Sequence, residues 1–157
     1  MTTVDTPVVP YTGIIPGGMY PGRIIKVKGG ISPSANRFST NFKCGGSDDN
    51  AFHFNPRFGD QCIIRNAYIH GSWGTREASG GMPLAVGGMF EIVFHCHHDC
   101  FQVSVNGKHF CDFPHRLPYH RITHLMVDGD IMIQQITFEG PKPPLEIAKF
   151  VASTAAV

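Results

Sequence analysis

Between Ala51 and Trp73 the chain sets out hydrogen-bonding side chains at a regular spacing. His53, Asn55 and Arg57 stand two residues apart in AFHFNPRF, and Phe52, Phe54 and Phe58 fall on the other parity. A period of two is that of an extended strand whose successive side chains face opposite ways. Imidazole, carboxamide and guanidinium would therefore project together from the face opposite the phenylalanines. Each can donate a hydrogen bond and none is an anion. Such a row suits a neutral, oxygen-rich ligand better than a cation. Asn66 adds a second amide and Trp73 a flat apolar plate, placed by Gly71, Ser72 and Gly74 in a turn that favours exposure. A sugar ring offers the matching surfaces, hydroxyls on one side and C–H groups on the other. Pro56 lacks an N–H, which predicts an edge position or a bulge for this strand.

The elements that must hold this row are short and punctuated by turns. Residues 1–9 read as a flexible arm, and PYTGIIPGGMYPG as an extended run along a sheet edge, since its prolines and glycines forbid a helix. RIIKVKGGI, NRFSTNFKC, CIIRNAYIHG and GMFEIVFHC read as strands; in the second, Phe38, Thr40 and Phe42 share a face. SWGTREASGGMP is rich in turn residues. Hairpins are predicted around Asn106-Gly107 and around Asp128-Gly129. The prolines after Gly140 end the domain and open a tail or linker over 141–157. No stretch combines helical periodicity with cap signals. Eight or more short strands argue for an all-β sandwich or barrel.

A chain of 157 residues can bury one good core, and a formal net charge of +1 offers no field to nucleic acid. No apolar run is long enough for membrane insertion, and MTTVDTPVVP does not read as a secretory signal. The cysteines number five, an odd count that favours reduced thiols. Cys96 and Cys100 lie among His95, His97, His98 and Asp99, which are zinc-ligand types, but a second ligand pair is missing, and no metal or cofactor is expected. Glycoside hydrolysis needs two carboxyl groups across the sugar, and this row offers Glu77 at most, so no enzyme is expected.

His53-Phe54-Asn55-Pro56-Arg57, followed by Asn66 and Trp73-Gly74, resembles the carbohydrate-recognition domain of galectins. IPGGMYPG, FEIVF, VSVNGKHF, HRLPYHRITHLMVDGD and the closing ITF resemble galectin framework over about residues 10–140. The flavour is that of domains from tandem-repeat galectins, which join two such domains by a Pro-rich linker. The resemblance implies a jelly-roll β-sandwich of two antiparallel sheets and binding of β-galactosides, of the lactose or N-acetyllactosamine type, without metal. By position, His53, Asn55 and Arg57 would meet the axial 4-hydroxyl of galactose, Asn66 the 6-hydroxyl, and Trp73 the C–H face. The implied partners are β-galactoside glycans on glycoproteins or glycolipids, with a homodimer or a second galectin domain supplying the second site. The implied location is cytoplasmic and extracellular, by secretion without a signal peptide.

The resemblance breaks after Trp73. Galectins usually continue Trp-Gly-x-Glu-x-Arg, whereas here Arg76 falls where the glutamate is expected, Ala78 where the arginine is expected, and Glu77 one position late. In a regular strand that offset turns Glu77 to the opposite face and leaves Arg76 near Arg57 with no carboxylate between them. In a loop or bulge, Glu77 could swing in and restore the acceptor. Arg76 and Glu77 are therefore both candidate site residues, acting on reach toward a second sugar. The alternative is a galectin-fold interaction or structural protein whose sugar binding Arg76 has weakened or altered.

Overall fold

The computed structural model describes residues 1–141. The tail expected over 141–157 lies, apart from Pro141, outside the described residues. The described chain forms two six-stranded antiparallel sheets. In spatial order the first sheet holds β1 (Thr2–Asp5), β12 (Ile131–Glu139), β3 (Ile24–Ile31), β8 (Met89–Cys96), β9 (Cys100–Val105) and β10 (Lys108–Pro114). The second holds β2 (Tyr11–Ile14), β11 (Ile122–Gly129), β4 (Phe38–Cys44), β5 (Asn50–Arg57), β6 (Cys62–Ile69) and β7 (Ser72–Trp73). Face to face they make the expected jelly-roll sandwich. A single 3₁₀ turn, Tyr119–Arg121, enters β11.

The alternating residues become the core. Phe38, Phe42, Phe52 and Phe54 of the second sheet and Phe94, Phe101 and Phe113 of the first are all buried. The Phe52 and Phe113 rings stack with centroids 4.3 Å apart and planes 8° apart, joining the two sheets. Each fully buried ring contributes about 1.5–3 kcal/mol by removal from water. The opposite face of β4, β5 and β6 is thereby left to polar residues.

Three expectations are corrected. Residues 1–9 are not simply an arm: Thr2–Asp5 pairs along β12, from Thr2 opposite Phe138 to Asp5 opposite Gln135. A local reading cannot find a partner more than 120 residues away.

Pro56 marks neither an edge, because β5 lies between β4 and β6, nor a bulge, because its register with β6 runs unshifted from Asn55 opposite Ile64 to Arg57 opposite Cys62. The register from Thr40 opposite Phe54 to Arg37 opposite Arg57 puts Phe38 opposite Pro56. There the ladder lacks an N–H for the Phe38 carbonyl, and the Asn55 side chain supplies one, Nδ2 donating to Phe38 O at 2.7 Å. The ladder then resumes with Phe58 N–H donating to Asn36 O at 2.9 Å.

Asp128-Gly129 does not close a hairpin, since β11 and β12 belong to different sheets. The chain turns the sandwich corner here instead. Gly129 has φ +116°, and a Cβ on it would sit 2.4 Å from Phe38 Cα, so the close approach requires glycine. By contrast, Asn106-Gly107 does join the paired strands β9 and β10, with φ of 50° and 81°.

Candidate functional site

The polar face of the second sheet floors a cleft of about 630 Å³, within the usual range for small-molecule sites. His53, Asn55, Arg57, Asn66, Trp73 and Arg76 all line it, and Glu77 does not. Strand register explains the assembly. His53 pairs with Asn66 across β5 and β6, and Trp73 pairs with Tyr68 across β6 and β7. The four residues therefore share one face. Trp73 is 52% exposed; its ring lies 4.8 Å from that of His53 and edge-on to Tyr68 at 5.2 Å. It stands as a plate at one end of the row.

The row is held by hydrogen bonds beneath it. Asn41 Nδ2 donates to Met126 O at 3.2 Å, which turns Asn41 Oδ1 toward His53 Nδ1 at 2.6 Å and Asn50 Nδ2 at 2.8 Å. An amide oxygen can only accept, so the imidazole proton sits on Nδ1 and Nε2 is left as an acceptor. His53 was read as a donor from its residue type; its neighbour makes it an acceptor when neutral. Burial, with Arg57 and Lys43 nearby, pushes the His53 pKa down from 6.5 to about 4, so the ring is neutral at physiological pH. Arg57 Nε donates to Asn55 Oδ1 at 2.8 Å, leaving its terminal nitrogens for the cleft.

Asn66 is fixed by a residue that the sequence reading did not single out. Arg116 Nη1 donates to Asn66 Oδ1 at 2.8 Å, and Asn66 Nδ2 donates to Gly74 O at 2.9 Å. Arg116 Nη2 also holds Thr75 O at 2.8 Å and the Glu77 carboxylate at 3.3 Å. Gly74 makes room for this: a Cβ there would meet Arg116 Nη1 at 3.1 Å and Asn66 Oδ1 at 3.3 Å. Arg116 lies 50 residues from Asn66 in sequence, and only its place in HRLP hinted at a role.

Glu77 follows the strand-like alternative. Its N–H and C=O exchange hydrogen bonds of 2.8 Å with Arg65, and its carboxylate goes to Arg116 rather than Arg57. Arg76, one residue earlier, faces the cleft. Buried Arg65 secures this segment by donating to Ser79 O at 2.7 Å and Ile63 O at 2.8 Å.

Among the described residues no cluster of three or more His, Cys, Asp or Glu is arranged to hold a metal. The five cysteines are free. Burial pushes the thiols of Cys96 and Cys111 up to about 12 and about 11, which keeps them protonated.

The two-sheet sandwich and the donor row on its polar face define a lectin-like domain. The model of the galactoside-binding lectin family matches residues 10–138, and the chain belongs to that family, the galectins. It is 44% identical to cattle (Bos taurus) galectin-4 over 88% of its own length and 42% of that protein's. It is also 35% identical to human galectin-7, over 82% of this chain and 96% of that one. The chain thus spans under half the length of its galectin-4 relatives, as one recognition domain would. Among solved structures, Caenorhabditis elegans galectin LEC-6 superposes with a TM-score of 0.81 at 22% identity, covering 87% of this chain and 95% of that one. Sheep galectin-11 superposes with a TM-score of 0.76 at 26% identity, covering 83% and 97%.

Proposed function

We propose that this domain binds β-galactoside glycans through His53, Asn55, Arg57, Asn66 and Trp73. The observation that carries the reading is the cleft itself. An acceptor, Nε2 of His53, and the terminal donors of Arg57 line it beside an exposed tryptophan plate, with Asn55 Oδ1 orienting the guanidinium. A hydroxyl can donate to the first and accept from the others. Its epimer would leave those buried partners unpaired, which is how such a site separates galactose from glucose. Because the partners are held on paired strands, little ordering cost is added on binding.

The reading is one of binding without catalysis. The cleft lining carries one carboxylate, Asp128, where glycoside hydrolysis uses two. An interaction or structural protein on the same fold is not favoured: the matched family is one of galactoside-binding lectins, and the donor row faces the cleft intact. Glycoproteins and glycolipids are the proposed partners, with cross-linking through a homodimer or a second galectin domain, since cross-linking needs two sites in one assembly. The proposed locations are the cytoplasm and the extracellular space.

Calorimetric titration with lactose, with maltose as control, tests the reading. Heat from lactose and none from maltose is expected. Equal heats, or none from lactose with the protein folded, would overturn it.

A further inference from the structure

At one end of the first sheet, the turn from β8 to β9 gathers six residues of metal-ligand type, from His95 to Cys100. The fold sorts them. The ladder runs on to His97, whose N–H donates to Cys100 O at 2.8 Å. Alternation therefore turns Cys96 into the core, where it is fully buried, and carries His95 and His97 to the outer face. His98 Nδ1 is turned to Asp99 Oδ1 at 3.0 Å. The rings of His95 and His97 are left against each other, with centroids 4.1 Å apart and planes 42° apart. Two imidazole nitrogens that share one ion, each about 2.0–2.1 Å from it, stand within roughly 4 Å of each other. The rings of this pair are already that close.

The pair is also braced as metal-binding histidines are. His97 Nε2 donates to Gln102 Oε1 at 2.9 Å, because an amide oxygen can only accept. The ring lone pair of His97 is therefore on Nδ1. A metal-bound histidine characteristically gives its other N–H to a carbonyl, carboxylate or water, which fixes the tautomer and the ring. Gln102 stands opposite His95 in the ladder, so one side chain of β9 reaches across the pair. His115 Nε2 donates to His97 O at 2.8 Å and pins the backbone at the turn. Sugar binding uses none of these groups, since the cleft lies on the other sheet.

We propose that His95 and His97 chelate a divalent transition ion of the class that favours imidazole, such as zinc, with Gln102 as a positioning residue. Among the described residues no third His, Cys, Asp or Glu completes the set, so water holds the remaining positions and the ion exchanges readily.

Calorimetric titration of the reduced full chain with zinc chloride tests this, with magnesium chloride as control because Mg²⁺ demands oxygen ligands. One zinc ion per chain and no magnesium heat are expected. His95→Ala and His97→Ala should each weaken zinc binding by at least the about ten- to hundred-fold that loss of an outer partner costs. Gln102→Ala should weaken it about ten-fold, and Gln102→Glu, which still accepts the His97 proton, should keep it. In the unaltered chain, zinc should move the imidazole NMR signals of His95 and His97 before those of other histidines. Absence of zinc heat, equal heat from magnesium, or an affinity unmoved in both alanine variants would overturn the proposal. Binding that survives both histidine changes and disappears when the thiols are alkylated would place the ion on cysteine and overturn it as well.

Discussion

Asn41 Oδ1 lies 2.6 Å from Nδ1 of His53, and this contact decides which ring nitrogen the cleft receives. The side chain directly opposite on the neighbouring strand β4 thereby sets the chemistry that His53 offers. At neutral pH the exposed nitrogen accepts; on protonation it would donate and would add a charge beside Arg57.

Lactose affinity is therefore expected to hold from neutral pH to about 5 and to fall as His53 protonates near 4. Stability follows the same group. Its folded pKa lies below the ordinary 6.5 because burial disfavours the charged ring, so the unfolded chain takes the proton first. Resistance to urea should be insensitive to this histidine above pH 6.5 and decline from there toward pH 4. Imidazole titration by NMR, run beside calorimetry, checks both; a His53 that titrates near 6.5 would refute the account.

Trp73 is the only tryptophan in the chain, so intrinsic fluorescence reads the cleft directly. Lactose should shift the emission to shorter wavelength as the sugar covers the ring, and maltose should not. Trp73→Ala should lower lactose affinity by more than about ten-fold, as loss of roughly 1.5 kcal/mol or more of stacking would. The residue is 52% exposed, so the fold should lose less than about 1 kcal/mol. An unfolded Trp73→Ala protein would show that the ring is structural.

Arg116→Ala should cut loose Asn66, Thr75 and Glu77 together. Lactose affinity is expected to drop about ten-fold and stability by roughly 1–3 kcal/mol, since Asn66 Oδ1 loses a charged donor. Arg116→Lys should recover little, because an ammonium cannot span the three partners that the guanidinium fork reaches. Lactose titration and urea midpoints of both variants decide the matter, and a lysine variant indistinguishable from the parent would count against this role.

Asn55 should be coupled to Pro56. Asn55→Ala strands the Phe38 carbonyl in a sheet interior and is expected to cost about 1–3 kcal/mol. Pro56→Ala returns a backbone N–H opposite that carbonyl, so the same asparagine change should cost clearly less in that background. A double-mutant cycle by urea unfolding measures the coupling; strictly additive costs would mean that the side chain does not replace the missing ladder bond.

The parts of this architecture that repeat locally were legible in the sequence. Alternation over 52–58 placed the phenylalanines inside and the polar row outside, because a pleated strand imposes that period whatever its neighbours. The two-residue turn at Asn106-Gly107 was readable for the same reason. What escaped depended on distant partners. Pro56 signalled an edge or a bulge because its missing N–H is visible and its replacement by Asn55 is not. Asp128-Gly129 carries hairpin residues, but the strands on either side belong to different sheets, with Gly129 packed on Phe38 at the corner. Arg116 meets Asn66 across 50 residues of chain. The turn after Trp73 could be read two ways, and the backbone exchange between Arg65 and Glu77 selects one.

The pairing of Thr2–Asp5 with β12 makes the first few residues a cover strip over an otherwise open row of ladder groups. Open rows invite strands from other molecules. Clipping the chain before Thr6, or hanging a bulky fusion on Met1 that peels the strip away, would replace the short edge of β1 by the longer edge of β12, a more adhesive margin. Preparations differing only in this leader would then differ in clumping and shelf life while the cleft on the other sheet stayed the same.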